Sequence, residues 1–199
     1  MSKGEETRQA ILGKAFELAT VVGVSGLSIG RLAEETGLSK SGLFAHFGSK
    51  EALEVAVVEE ASRQFVQEVM VPALRHPRGE PRLRALFEGW MRWGDRPGGC
   101  FFVGASAELD DRPGPPHDAL VRAQKDWIDE LAKATRIAIS EGHFRASVDP
   151  DQFAFELYSI MLGAHLFSRF LRAPGTGART HQAFERLVTE ARVAHNPTR

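Results

Sequence analysis

The stretch Gly37–Leu53, GLSKSGLFAHFGSKEAL, begins a helix twice within eleven residues. Ser39 and Ser49 each have the side chain of a good N-cap, an oxygen that accepts a free N–H of the first turn. Each is followed at once by a lysine, Lys40 and Lys50. A helix N-terminus carries about half a positive charge, so a cation there is unfavourable on its own. The same end, with its free N–H groups, suits a phosphate, and a lysine beside it adds to that attraction. Two such posts flanking one short helix point to nucleic acid.

The preceding residues complete the arrangement. Ser28 caps a short helix over Ile29–Glu35, with Leu32 and Ala33 inward. Gly37 makes the turn, where positive φ costs glycine nothing. Ala33, four residues before it, is small enough to let two helices cross closely. The second short helix, Ser39–His46, turns Leu43 and Phe47 inward. This is the layout of a helix-turn-helix, whose second helix enters the major groove. Upstream, Ile11, Ala15, Leu18 and Val22 form one apolar stripe of a helix over Glu5–Val22. Ser49 opens a long helix to about Val71, which Pro72 is expected to end.

Helical periodicity continues through the remainder, and runs of alternating β-branched residues are absent, so the chain reads as all-α. Helices are predicted over Pro81–Trp93, Cys100–Leu109, His117–Ser140, from Asp149 to about Leu171, and over His181–Ala194. At the fourth of these Asp149 caps, Pro150 takes the first position and Gln152 completes a capping box. RAPGTGART, residues 172–180, reads as a loop.

Composition sets bounds. Twenty-five basic and 26 acidic side chains leave a net charge of −1, so any phosphate binding is local. One cysteine, Cys100, excludes an internal disulfide framework and fits a reducing compartment. No apolar run reaches the ~20 residues of a membrane span, and MSKGEETRQA lacks the apolar core of a signal peptide. A cytoplasmic protein is expected. HExxH, CxxC, G-x-S-x-G and phosphate-loop motifs are missing, so neither metal nor cofactor is expected and no catalytic residue is assigned.

Thr7 to about Glu59 resembles the DNA-binding domain of TetR/AcrR-family transcriptional regulators, a likeness carried by RQAILGKAFELATVVGVSGLSIGRLAEETGLSKSGLFAHFGSKEAL. The resemblance implies a three-helix DNA-binding domain, residues 1–50, and a helical effector-binding and dimerisation domain, residues 51–199. It implies a homodimeric repressor released from a palindromic operator by a small molecule. Carried over by position, the DNA contacts fall on Ser39, Lys40, Ser41, Phe44, His46 and Lys50, with support from Thr7 and Ser28. Lys40, Ser41 and Gly42 are the base-reading candidates: lysine can read guanine, and Gly42 permits close backbone approach. The chain departs from the family with Phe44 where tyrosine is usual, and with Ala45 where a second aromatic is common. Phe44 has no hydroxyl for a phosphate but can touch a thymine methyl or a sugar.

Beyond the motif, aromatic residues gather. Phe87, Trp90, Trp93, Phe101, Phe102 and Met161 are candidates for the lining of an effector pocket. The helix DQFAFELYSIMLGAHLFSRFL is apolar almost all round, so one face requires a partner. With the His117–Ser140 helix it can form a four-helix bundle across a two-fold axis. The candidate interface residues are Trp127, Leu131, Phe155, Ile160, Gly163 and Phe167. Two other readings stay open: an effector-independent DNA-binding dimer with a filled core, and a redox sensor or enzyme using Cys100.

Overall fold

The computed structural model describes residues 3–193, and all the helices below lie within them. The chain divides into two compact units: residues 1–66 with 95–124, and residues 67–94 with 125–199.

In the first unit α1 (Lys3–Val22) buries Ile11, Leu12, Ala15, Phe16 and Ala19. The short α2 (Ile29–Thr36) begins at Ser28, whose side chain accepts the Arg31 N–H at 3.2 Å. It ends at Gly37, with φ 67° and its N–H bonded to the Ala33 carbonyl. Only a residue without Cβ takes that left-handed turn at no cost. Next, α3 (Lys40–Phe47) is capped by Ser39, which accepts the Gly42 N–H at 3.0 Å. Ser49 does the same for Ala52 at the start of α4 (Lys50–Phe65). Leu32, Leu43, Leu53 and Val57 close the core of this head.

A buried carboxylate locks α4 to α1. Glu60 accepts hydrogen bonds from Gln9 of α1 at 2.6 Å, from Gln64 at 2.7 Å, and from both arms of Arg63 at 2.6 and 2.8 Å. Later in the chain α7 (Phe101–Leu109) joins this unit. Its Phe101 packs on Phe16 and Phe102 meets Phe65 edge-on, each with ring centres 5.6 Å apart. Before it Gly98, at φ 87°, lies so close to α1 that a Cβ would come within 2.3 Å of the Thr20 carbonyl.

The expected long helix from Ser49 to Val71 is interrupted. After Phe65 the residues Val66–Met70 form a wide turn of π type, and a further short helix α5 (Val71–Leu74) succeeds it. Pro72 lies in the first turn of α5 rather than ending a helix. There its missing N–H removes no helical hydrogen bond.

In the second unit α6 (Glu80–Gly94) buries Leu83, Leu86, Phe87, Trp90 and Trp93. The long α8 (Pro115–Ser140) ends here, burying Leu131, Ala134 and Ala138. Pro150 opens α9 (Pro150–His165), with Asp149 as its cap, and α9 buries Phe153, Leu157, Tyr158 and Met161. The expected capping box is not made: the Gln152 side chain donates forward to Glu156 at 2.6 Å. Leu166–Phe170 form a second π-type turn, none of it buried. The last helix, α10 (Thr176–Ala191), starts five residues before His181, inside the stretch read as a loop. The polar residues that suggested a loop are satisfied internally. Thr176 Oγ1 donates to the Ala173 carbonyl and Thr180 Oγ1 to the Thr176 carbonyl. Ala194, the expected end of this helix, lies outside the described residues.

Phe184 of α10 stacks on Phe87 of α6 at 4.0 Å, with the Arg84 guanidinium over the Phe184 ring. Arg84 also pairs with Glu80 and Glu185, and Arg192 with Glu80. The Arg192 hydrogen bond is the main reason that the Glu80 carboxyl titrates below its usual range.

The Glu60 lock has a defined pH signature. Burial pushes its carboxyl up, but the hydrogen bonds from Arg63, Gln64 and Gln9 outweigh burial and hold it below the usual value. A lowered folded value means stability that is fully present above the ordinary carboxylate range and lost as pH falls through the folded value. Glu60→Gln is therefore expected to lower the urea midpoint at pH 7. The difference from the unmodified chain shrinks as pH drops below about 4. A pH-independent difference would assign the loss to packing.

Candidate nucleic-acid interface

The first unit carries α3 on its surface. Lys40, Ser41, Phe44 and Ala45 are exposed, and Gly42 and His46 are half-buried. Leu43 and Phe47, on the other side, are buried, so the outward face is fixed by the inward one. Phe44 is 54% exposed, a large ring facing solvent at the middle of α3. Ser41 Oγ lies 3.0 Å from Ser39 Oγ, so the cap and its neighbour share a hydrogen bond. The Lys40 stem passes close to Gly30, within 3.4 Å of where a Cβ would stand. A side chain there would crowd the lysine against the start of α2.

Ser28, Ser39 and Ser49 are all exposed caps, and Thr7 is half-buried on α1. His46 lies 6.3 Å from the Phe47 ring, and the Arg8 guanidinium covers that ring at 5.3 Å. Arg8 thus adds a cation beside the C-terminal end of α3.

Lys50 is held in place. Its Nζ donates to the Ser25 carbonyl at 2.8 Å and stands 3.6 Å from Glu54 Oε1. Ser25 is gripped from the other side as well. Its N–H donates to Glu108 at 2.9 Å, and its hydroxyl accepts from Arg112. Arg112 also reaches Glu54 Oε2 at 3.4 Å. Sequence reasoning missed Ser25, Glu54 and Arg112, and weighed Glu108 only as an orienter of a polar or cationic group or as a solvated surface acid, not as a partner of Ser25. The Lys50–Glu54 pair was legible as an i,i+4 spacing. Glu108 and Arg112 reach Ser25 across more than eighty residues, and nothing local announces that contact.

The candidate effector residues are all buried, but in different units. Phe101 and Phe102 belong to the first. Phe87, Trp90, Trp93 and Met161 belong to the second, where Trp90 meets Tyr158 edge-on at 6.4 Å. Of the candidate interface residues, Trp127 and Leu131 are buried within the chain, Ile160 and Gly163 are half-buried, and Phe155 and Phe167 are exposed. Cys100 stands at the N-cap position of α7 and is 2% exposed. Among the described residues no group of three His, Cys, Asp or Glu side chains is placed to hold a metal ion. Nor is any described helix long and apolar enough to cross a membrane.

Residues 11–57 match the family model for bacterial regulatory proteins of the tetR family, and residues 79–184 match that for the tetracyclin repressor-like C-terminal domain. The chain belongs to the TetR family of transcriptional regulators. It is similar to the HTH-type transcriptional repressor AcnR of Corynebacterium glutamicum, 27% identical over 192 residues, 93% of this chain and 90% of that protein. It is also similar to the HTH-type transcriptional repressor NemR of Escherichia coli, 25% identical over 173 residues, 84% of this chain and 86% of that protein. A TetR transcriptional regulator from Chloroflexus aurantiacus superposes with a TM-score of 0.85 at 27% identity, covering 98% of this chain and all of that one. As a TetR regulator the chain is a DNA-binding protein and not an enzyme, with its helix-turn-helix in α2 and α3.

A phosphate post and a base reader respond differently to substitution. Lys50→Ala is expected to weaken binding to specific and random DNA alike and to lower the slope of log affinity against log salt by about one. Fluorescence anisotropy across a salt series measures both quantities. An unchanged slope removes Lys50 from the interface.

Proposed function

We propose that this TetR regulator is a homodimeric repressor, cytoplasmic, whose hold on a palindromic operator is relaxed by a small molecule received in the C-terminal domain. The assembly rests on one observation. Phe155, Leu162, Leu166, Phe167 and Phe170 are exposed on α9 and the π-type turn after it, Phe155 by 66% and Phe170 by 80%. A contiguous apolar face of this kind marks an association surface. A second copy of the same helix is the partner that a two-fold axis supplies without further invention. Two heads joined in this way can address half-sites about one helical turn, ~34 Å, apart. Repression is the activity named for both AcnR and NemR, which are similar to this chain over most of its length.

Gly163 tests the dimer cleanly. A Cβ built there meets nothing within 4 Å in the chain itself. Gly163→Arg is therefore expected to leave the protomer folded and to obstruct a partner. Sedimentation is expected to show a monomer with unchanged helicity and much weaker binding to a palindrome. A wild-type dimer would place the interface elsewhere.

The effector reading rests on the buried rings Phe87, Trp90 and Trp93 of α6, with Met161 of α9 in the same unit. Inverting a 1:99 equilibrium takes about 5.5 kcal/mol of differential affinity. A few large apolar groups closing on a ligand supply that, at roughly 1.5–3 kcal/mol each. Truncation of Trp90 to Ala would empty a packed core at a cost of about 3–5 kcal/mol, so the milder Trp90→Phe is the better test. It is expected to blunt induction by an effector found in a compound screen, with operator affinity in its absence unchanged. Equal loss of operator binding and thermal stability would mark Trp90 as packing alone. The redox alternative loses support from the burial of Cys100, because a sensing thiol must be reached by its oxidant.

A further inference from the structure

We propose that a second small-molecule site lies in the first unit, between the start of α4 and the loop joining α7 to α8, and that it takes a zwitterion of the α-amino acid class. A cavity of about 240 Å³ is lined there by Lys50, Glu51, Glu54, Leu109, Arg112 and the prolines 113 and 116. For scale, a cavity of about 150 Å³ holds a molecule of benzene size.

Glu54 gives the cavity its chemistry. The side chain is 2% exposed, yet its Oε1 accepts no hydrogen bond. The nearest cation, Lys50 Nζ at 3.6 Å, is beyond hydrogen-bond reach and donates to the Ser25 carbonyl instead. Arg112 touches only the other carboxylate oxygen, at 3.4 Å, and spends its second arm on the Ser25 hydroxyl. A buried carboxylate oxygen without a donor is costly, and a charged donor relieves it best. That calls for an ammonium group on the ligand.

The surroundings select the rest of the molecule. Lys50 and Arg112 balance Glu51 and Glu54 in charge, so the cavity favours a ligand of no net charge. A lone ammonium would face two cations. A carboxylate whose carbon is two bonds from the ammonium nitrogen, as in an α-amino acid, faces Lys50 and Arg112 while the ammonium takes Glu54. Leu109, Pro113 and Pro116 leave an apolar wall for a side chain. A bound carboxylate competes with the Ser25 carbonyl for Lys50, so occupancy alters the phosphate post. This last step rests on the reading of Lys50 as a DNA contact.

Isothermal titration of the DNA-free full-length chain with glycine, L-alanine and L-glutamine, beside ethylamine and propionate at one ionic strength, tests the site. At least one amino acid is expected to saturate one site per chain, at least tenfold tighter than either half-molecule. Glu54→Gln and Arg112→Ala are each expected to weaken it tenfold or more, with melting curves recorded beside them. Arg112 is half-exposed and serves if the Glu54 variant fails to fold. No saturable binding of any of the three, equal binding of ethylamine, or indifference to both substitutions would overturn the proposal. Anisotropy on a duplex selected from random sequence reads the link to DNA separately. The amino acid that binds is expected to shift affinity at least threefold in the unmodified chain and not in Lys50→Ala. Binding without that shift would leave the site standing and refute its coupling to Lys50.

Discussion

Two carboxylates buried on one helix are the constraint on which the DNA-binding head depends. Glu54 and Glu60 are six residues apart on α4, and both are almost wholly inaccessible. Burying a charge is costly unless partners meet it. Glu60 therefore fixes α4 against α1 through Gln9, and Glu54 ties the start of α4 to Arg112. The apolar contacts of Leu53, Val57 and Phe65 supply most of the cohesion, but they are forgiving of small slides. Hydrogen bonds of 2.6–2.8 Å to a carboxylate are not. The placement of α4, against which α3 packs, thus rests most firmly on Glu60, with the longer Glu54–Arg112 contact beside it.

The outward face of α3 inherits that fixity. Leu43 and Phe47 must be buried, and in a helix of eight residues this leaves Lys40, Ser41, Phe44 and Ala45 turned outward. A recognition helix this short presents few side chains, so positioning by capped helix ends counts for as much as base contact. Phe44 changes the balance further, because a phenyl ring offers shape and apolar contact but no hydrogen bond.

The helix-turn-helix was legible because its rules are local. Ser28, Gly37, Ser39 and Ser49 act within four residues of themselves, and every one behaves as its position demands. The apolar stripes were legible for the same reason. What escaped was either long-range or a failure of a strong local rule. Glu108 and Arg112 reach Ser25 from far along the chain. Pro72 did not stop the helical path, because a wide turn before it moved the proline to a first-turn position. Thr176 and Thr180 looked like loop residues, but each hydroxyl found a carbonyl three or four residues before it.

The π-type turn at Leu166–Phe170 has a consequence for how one apolar run can serve two interiors. In an α-helix each residue advances the face by about 100°. A π-type turn holds one residue more than an α-turn and so sets the side chains after it back by about that angle. Upstream, Phe153, Leu157 and Met161 look into their own unit; from Leu166 to Leu171 no apolar side chain is buried. The outward apolar face begins before that turn, at Phe155 and Leu162, and Leu166, Phe167 and Phe170 continue it. Deleting one residue there would close the wide turn into an α-turn and leave Phe167 and Phe170 on the outward face, because the wide turn already absorbs the extra residue locally. A chain of this kind can therefore gain or lose one residue at that point and keep the same apolar face turned outward.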